Sequence, residues 1–262
     1  MATLTGPAYR RSGIGRLQLE YAQLSLLGHR QENQDRLAVV ANGQAALVVV
    51  ADGMGGHQGG ALAAETAVES LRMGFLSVME PILDPIGYLH QAMANAHSAV
   101  VAVGQMMQFE VRPRATCAVC LIQQGASYWV HVGDSRLYQF RDGTLVTRTR
   151  DHSHVERLLR DGSITLAEAP THPMRHYVEQ CLGGDPVLPE MTVTGRKALQ
   201  RHDLLLVCSD GFWSNFQDDD LARSLNRHAD LTATLKTLGD FSVRASAPQS
   251  DNVTAVAVRW IA

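Results

Sequence analysis

Residues 48–60 read VVVADGMGGHQGG, an apolar run of the kind that fills a buried strand, stopping at an aspartate and dissolving into glycines. The same border recurs four more times: RQENQD ends at Asp35, HVGDSR contains Asp134, LLLVCSDG contains Asp210, and QSDNVTAVAV places Asp251 just ahead of an apolar run. A carboxylate taken into a core without a partner is costly, so aspartates that converge at one end of a stack of sheets need cations. Oxygen donors without His or Cys companions favour magnesium or manganese over zinc. Taken singly, an aspartate at such a border is a turn or cap residue, and Asp142 in RDG is read that way. Taken together the five ask for more, because Gly follows Asp52 and Asp210 and Asn252 follows Asp251, where the backbone must approach something closely.

The order of elements narrows the fold. Strand-like runs at Leu19 to Leu27, Leu37 to Ala41 and Ala45 to Ala51 come first, with Asn42 and Gly43 suited to a type I′ hairpin between the last two. Ala61, Ala64, Val68 and Leu71 then repeat at helical spacing from Gly60 to about Met79, and Pro85 opens a second helix to about Gln108. Runs at Thr116 to Gln123, Ser127 to Val132, Arg136 to Phe140 and Thr144 to Arg148, joined by short Gly and Asp turns, read as a meander. Residues 149–190 are more polar, punctuated by four prolines, and read as an insertion standing on the surface. A buried strand at Asp203 to Ser209, helices at 218–228 and 231–247, and a strand at Asn252 to Ile261 follow. Strands, paired helices and strands again do not alternate as βαβ units do, so the expected class is α+β.

Composition sets outer bounds. The 262 residues suit one domain, 1–262, with ample material for a core, and a net charge of -3 offers no electrostatic case for nucleic acid or an anionic membrane. The longest apolar runs are too short to span a bilayer, the first twenty residues lack a signal-peptide core, and a cytoplasmic location is expected. Cys117 and Cys120 form a CxxC inside the apolar run ATCAVCLI, without the Gly or Pro turn of a zinc knuckle, and read as small buried hydrophobes.

RxxNQD at Arg30 to Asp35, ADGMGGH at Ala51 to His57, VGDSR at Val132 to Arg136, SDG at Ser209 to Gly211 and SDNVT at Ser250 to Thr254 resemble, in order, the signature set of the metal-dependent protein phosphatases of the 2C type. Any one of these motifs is weak, but five in sequence across residues 28–258 are specific. The resemblance implies a four-layer αββα sandwich, two antiparallel sheets between helix pairs, with residues 149–190 as a flap subdomain. It also implies hydrolysis of phosphoserine and phosphothreonine in proteins by a water bridged between two Mn2+ or Mg2+ ions. By carry-over, Asp52 bridges the two ions, the Gly53 carbonyl, Asp210 and Asp251 complete them, and Asp35 holds metal-bound water. Asp134 shares a third, weaker ion with Asp210, and Arg30 grips the substrate phosphate, a role suited to paired guanidinium donors. Gln34 and Asn252 are expected to hydrogen-bond around the metal-bound water.

The catalytic residues on this reading are Arg30 and Asp52. Met54 stands where some relatives place a proton-donating His, and His57 is read as a helix cap in preference to an acid. His152, His154, His172 and His176 are read as surface and capping residues, since no carboxylate or Cys completes a metal set. HPMRHYVEQCLGG is similar to a phrase of the phosphatases encoded with bacterial type VI secretion systems, which implies a partner threonine kinase alongside phosphoprotein substrates. Two other readings compete: a non-catalytic member that binds phosphoproteins or a kinase, and a nucleotide-phosphate cradle at DGMGGHQGG. The latter lacks a following GK[ST].

Overall fold

The computed structural model describes residues 17–54, 59–106, 112–226 and 228–262. In chain order it forms β1 (Leu19–Leu26), β2 (Asp35–Asn42), β3 (Ala45–Met54), α1 (Gly59–Leu76), α2 (Pro85–Met106), β4 (Arg114–Gln123), β5 (Ala126–Val132), β6 (Arg136–Arg141) and β7 (Thr144–Arg148). It continues through α3 (His154–Arg160), β8 (Leu182–Gly183), β9 (Thr192–Ala198), β10 (Leu204–Cys208), α4 (Asp210–Trp213), α5 (Asp218–Ser224), α6 (Leu231–Ala245) and β11 (Val253–Trp260). One sheet has the order β1-β11-β10-β6-β7, the other β2-β3-β4-β5-β9 with β8 beside β4, and every pairing is antiparallel.

The apolar runs are continuous because both faces of the central strands are covered. On β3, Ala46, Val48 and Val50 face the second sheet, where they meet Leu205 and Val207 of β10 and Val256 and Val258 of β11. The alternate residues Ala45, Leu47, Val49 and Ala51 pack on Ala63, Ala64, Ala67, Val68, Leu71 and Phe75 of α1 and on Leu89, Met93, Ala96 and Val100 of α2. Beneath the other sheet, Leu206 and Ala255 pack with Phe212, Leu221, Leu231 and Leu235 of the later helices. Full burial of each such Val or Leu contributes about 2 kcal/mol. The result is the expected αββα sandwich. Among the described residues no helix is long and apolar enough to cross a membrane.

Four local expectations change. The strand through Val48–Val50 does not stop at Asp52 but runs to Met54, because Asp52, Gly53 and Met54 keep pairing with Thr116, Ala115 and Arg114. The first hairpin turns on Gly43 and Gln44, between the paired residues Asn42 and Ala45, and of its two turn residues only Gly43 has a positive φ, so it is not type I′. The meander is split: β4 and β5 belong to one sheet, β6 and β7 to the other. Residues 149–190 are not wholly a surface insertion, since Leu182 is fully buried and β8 pairs with Ala115 and Arg114, and the strand β9 that follows has no counterpart in the sequence pattern.

The switch between sheets occurs at Gly133, whose φ of +95° lies in a region L side chains rarely adopt and whose added Cβ would lie 2.5 Å from the Thr116 side chain. Backbone strain and overpacking then act together, so Gly133→Ala should cost about 3 kcal/mol. For a domain of this size that lowers Tm by roughly 6–12 °C. Differential scanning calorimetry reads it, and a Tm within a degree of the parent would show that the crossover tolerates a side chain.

Candidate metal and phosphate site

Register explains where the aspartates point. Asp35 opens β2 directly opposite Asp52 on β3. Side chains alternate along a strand, so Asp52 shares the inter-sheet face with Val48 and Val50, and Asp35 shares it with Leu37 and Val39. Both carboxylates therefore sit at one end of the space between the sheets. Asp134 lies in the β5–β6 crossover, Asp210 follows β10 as the first residue of α4, and Asp251 precedes β11 at the same end. Asp35 and Asp134 are buried, whereas Asp52 and Asp210 reach solvent in part.

The carboxylates burden one another. Burial pushes Asp35 up to about 7, with the hydrogen bonds from Ser209 and Thr254 pulling the other way and the charges of Asp210 and Asp251 adding to the rise. Burial, then the charge of Asp35, then those of Asp210, Asp134 and Asp251 raise Asp52 well above the usual carboxylate range. Asp134 is raised well above that range by burial and by Asp210, and Asp210 is raised by burial and by Asp251. Among the described residues, none of Asp35, Asp52, Asp134 and Asp210 has an ion-pair partner within 4 Å. No group of three or more His, Cys, Asp or Glu side chains there is gathered tightly enough to hold a metal ion as it stands. Asp35 and Asp52 face one another directly and Asp210 lies close enough to Asp52 to interact with it; Mg2+-type ions keep several waters and take one or two carboxylates each, so an all-oxygen set of this kind fits such ions. Zinc, which prefers a tight tetrahedral set with N or S donors, does not fit.

The loop from Leu27 to Gln34 is clamped onto the start of β11. Asn252 Oδ1 accepts from the Gln34 amide at 2.8 Å, and its Nδ2 donates to the carbonyls of Leu27 at 2.8 Å and Glu32 at 3.1 Å. Its side chain thus holds backbone. His29 reinforces the clamp: its Nδ1 lies 2.8 Å from Ser250 Oγ, and its amide donates to the same oxygen at 3.1 Å. Arg30 Nη2 donates to Asp251 Oδ2 at 2.6 Å, which joins the expected phosphate ligand to an expected metal ligand. Gln34 contributes its backbone, accepting from the Gly53 amide at 3.2 Å.

The glycines after Asp52 and Asp210 serve close approach of backbone to backbone. A Cβ at Gly53 would lie 2.0 Å from the Gly60 carbonyl oxygen, and one at Gly211 would lie 2.0 Å from that of Asn252. Ser209 is a site residue that the sequence reading missed, although it stands inside SDG. Its Oγ donates to Asp35 Oδ2 at 2.7 Å and accepts from the Thr254 amide at 3.1 Å, tying a carboxylate of one sheet to the other. Asn33, inside NQD, is another, and accepts from the Asp35 amide at 3.0 Å.

Of the histidines in 149–190, His152 accepts from the Gly133 amide, His154 pairs with Glu179 and His172 accepts from the Met174 amide, all local structural roles. His176 is exposed, and its charge reaches Asp210. His57 lies outside the described residues. Cys117, Cys120 and Cys208 are buried, and burial pushes all three thiols up, so they are inert packing residues.

A protein phosphatase 2C family model matches residues 25–248. The chain belongs to the protein phosphatase 2C family. The serine/threonine protein phosphatase PstP of Mycobacterium tuberculosis is 32% identical over 241 residues, a match covering 90% of this chain and 45% of that longer protein. The PstP catalytic domain, solved in complex with two manganese ions, superposes with a TM-score of 0.78 at 30% identity, covering 93% of this chain and 99% of that one. PppA of Pseudomonas aeruginosa, described as a key regulatory component of its type VI secretion system, gives a TM-score of 0.75 at 28% identity, with 92% and 97% covered.

The raised carboxylates set the pH dependence of the metal-free protein. An acid whose folded-state pKa exceeds its unfolded value of about 3.9 contributes stability that is complete below that value and lost as pH rises through the folded pKa. With Asp35 at about 7 and Asp52, Asp134 and Asp210 also raised, the chain in EDTA should melt higher at pH 5 than at pH 8. Saturating Mn2+ should reverse the order, since binding requires the ionised carboxylates. Thermal melts across pH 5–8 test this, and a metal-free Tm that is flat or climbs with pH would contradict it.

Proposed function

We propose that the aspartate end of the sandwich hydrolyses phosphoserine and phosphothreonine in proteins with Mn2+ or Mg2+, and that it opposes a Ser/Thr kinase in the bacterial cytoplasm. The metal-dependent protein phosphatase activity follows from family membership; the kinase, the location and the individual residue roles are our reading. The observation that carries them is that Asp35 and Asp52 from one sheet meet Asp210 and Asp251 from the other at one open end. The complete set of aspartates argues against a non-catalytic member. A phosphate cradle at the glycines is unsupported, since Gly53 and Gly60 use their lack of side chains to pack against each other.

On this reading Asp52, Gly53, Asp210 and Asp251 hold two ions, Asp35 holds water bound to them, and Asp134 with Asp210 holds a third ion. When bound, these ions acidify water and offset charge on the transferring phosphoryl group. The protein's own groups orient the reaction. Ser209 holds Asp35 in one rotamer, and the Asn252 clamp fixes the loop that carries Arg30. Arg30 commits one nitrogen to Asp251 and its side chain is 57% exposed, so its remaining donors are free to grip phosphate oxygens as the loop presents them to solvent. The shared carboxylate lets Asp251 orient that guanidinium. Cys117, Cys120 and Cys208 are buried with raised thiols and none is suited to act as a nucleophile, in keeping with attack by water. Met54 cannot supply a proton to the leaving alkoxide. We read residues 1–262 as one catalytic domain whose flap, about 149–190, selects the phosphoprotein. The likeness to PppA and the HPMRHYVEQCLGG phrase together support a place in a type VI secretion system.

Asp52→Asn and Asp251→Asn should each lower turnover of a phosphothreonine peptide at saturating Mn2+ by at least about 100-fold, since even groups behind the ligands typically cost 10–100-fold. Circular dichroism should stay that of the parent, and near-parental turnover in either variant would overturn the ligand assignment.

Arg30→Ala should lower kcat/KM by about 10–100-fold, the loss of a charge-assisted contact, through both constants because phosphate must stay in line for attack. Since Arg30 also touches Asp251, Mn2+ affinity should shift measurably in calorimetry. Unchanged kcat/KM would remove Arg30 from substrate binding.

A further inference from the structure

Arg136, which closes VGDSR, and Trp213, three residues beyond Asp210 in SDGFW, hold neither metal nor phosphate in the site described above. The structure brings them together around Asp134. Trp213 ends the single turn α4 that Asp210 begins, and its indole Nε1 donates to the Asp134 carbonyl at 2.9 Å. The Arg136 guanidinium lies over the indole ring, 3.2 Å from the ring centroid. It is pinned there by a two-pronged ion pair with Asp151, Nε to Oδ1 at 2.8 Å and Nη2 to Oδ2 at 2.7 Å, and by Nη1 on the Tyr138 hydroxyl at 3.1 Å. Both members of the pair are largely buried, with side-chain exposures of 12% and 7%, so the guanidinium is held in one orientation.

From the opposite side the segment after β7 closes on the same turn. The His152 amide donates to the Gly133 carbonyl at 2.9 Å, and the Gly133 amide donates to His152 Nδ1 at 3.2 Å. The His152 ring stacks on His131 with centroids 4.5 Å apart. Asp134 is thus bracketed, with Gly133 held by His152 and its own carbonyl held by Trp213. The side chain left over is a buried carboxylate that makes no ion pair among the described residues, close enough to Asp210 to feel its charge.

We propose that Trp213 is a positioning residue: its indole N–H, steadied by the Arg136–Asp151 pair, sets the distance between Asp134 and Asp210 and so the occupancy of the divalent cation those two carboxylates share. The proposal rests on the metal assignments above and adds to them a device joining three places far apart in sequence, the β5–β6 crossover, α4 and the root of the 149–190 segment. Trp213 touches neither the cation nor the phosphate and acts only through Asp134. Because Asp151 begins that segment, a movement there is transmitted through Arg136 and the indole to the weakest cation.

Trp213→Phe keeps the ring beneath Arg136 and removes only the donor. In Mn2+ calorimetry of the full chain, the transition that Asp134→Ala abolishes should weaken about three- to tenfold in Trp213→Phe, the loss of one hydrogen bond, while the tighter transitions stay put. Asp151→Asn should weaken the same transition. The Tm in EDTA should stay within about 2 °C for Trp213→Phe. In the Asp134→Ala background, Trp213→Phe should change nothing further, because the carboxylate it positions is gone. An unaltered isotherm, equal weakening of every transition with a lower Tm, additivity in the double variant, or a parent isotherm with no transition that depends on Asp134 would each overturn the proposal. Absence of phosphothreonine hydrolysis by the parent with Mn2+ would instead overturn the phosphatase reading, and the isotherms would still decide the role of Trp213.

Discussion

Everything at the open end of this sandwich depends on two carboxylates placed directly across a β-ladder. Asp35 and Asp52 are register partners on the inter-sheet face, an arrangement that ordinary strand pairing disfavours because like charges opposite one another repel. The hydrophobic pattern enforces it regardless: with Val48 and Val50 buried between the sheets, strand alternation sends Asp52 the same way, and Leu37 and Val39 do the same to Asp35. A slip of one residue would release the carboxylates but turn each apolar set to the wrong face. Packing of the middle layer thus holds the charges in place, and on the proposed assignment a divalent cation would relieve what the packing imposes.

The surrounding polar structure limits how far the carboxylates can relax. Ser209, just past the end of β10, reaches across to Asp35, Asn252 gathers three backbone groups of the 27–34 loop, and Trp213 takes the Asp134 carbonyl. Ser209 and Asn252 stand directly beside Asp210 and Asp251, so the motifs are dense with support as well as with the proposed ligands. Arg30 pairs with Asp251; on the proposed reading the same guanidinium would also take an incoming phosphate, which would couple occupancy of the metal side to readiness of the substrate side.

Much of this was legible in the chain. The continuous apolar runs named the central strands, and paired helical spacing named α1 and α2, because periodicity survives wherever a whole face is buried. The aspartates could be grouped because each stands at the edge of such a run. What could not be read was long-range: that β5 and β6 leave for different sheets at Gly133, that Leu182 returns to pair beside β4, or that β9, exposed and interrupted by Gly195, is a strand at all. Local pattern carries no record of which sheet a strand will join. The supporting roles of Ser209, Asn33 and Trp213 were hidden for a related reason, since their partners lie 174, 2 and 79 residues away and only the nearest of these, Asn33, had a signal in an adjacent turn.

Among the described residues the two sheets share no backbone ladder; they are joined by the apolar layer between them and, at one end, by polar groups drawn from both. A cation gripped by Asp52 on one side and by Asp210 and Asp251 on the other would therefore act as a rivet through the laminate. Sliding of one sheet over the other, the softest collective motion open to two stacked layers, would then become the coordinate along which metal is gained or lost, and mechanical stiffness and cofactor retention would be one property of this architecture.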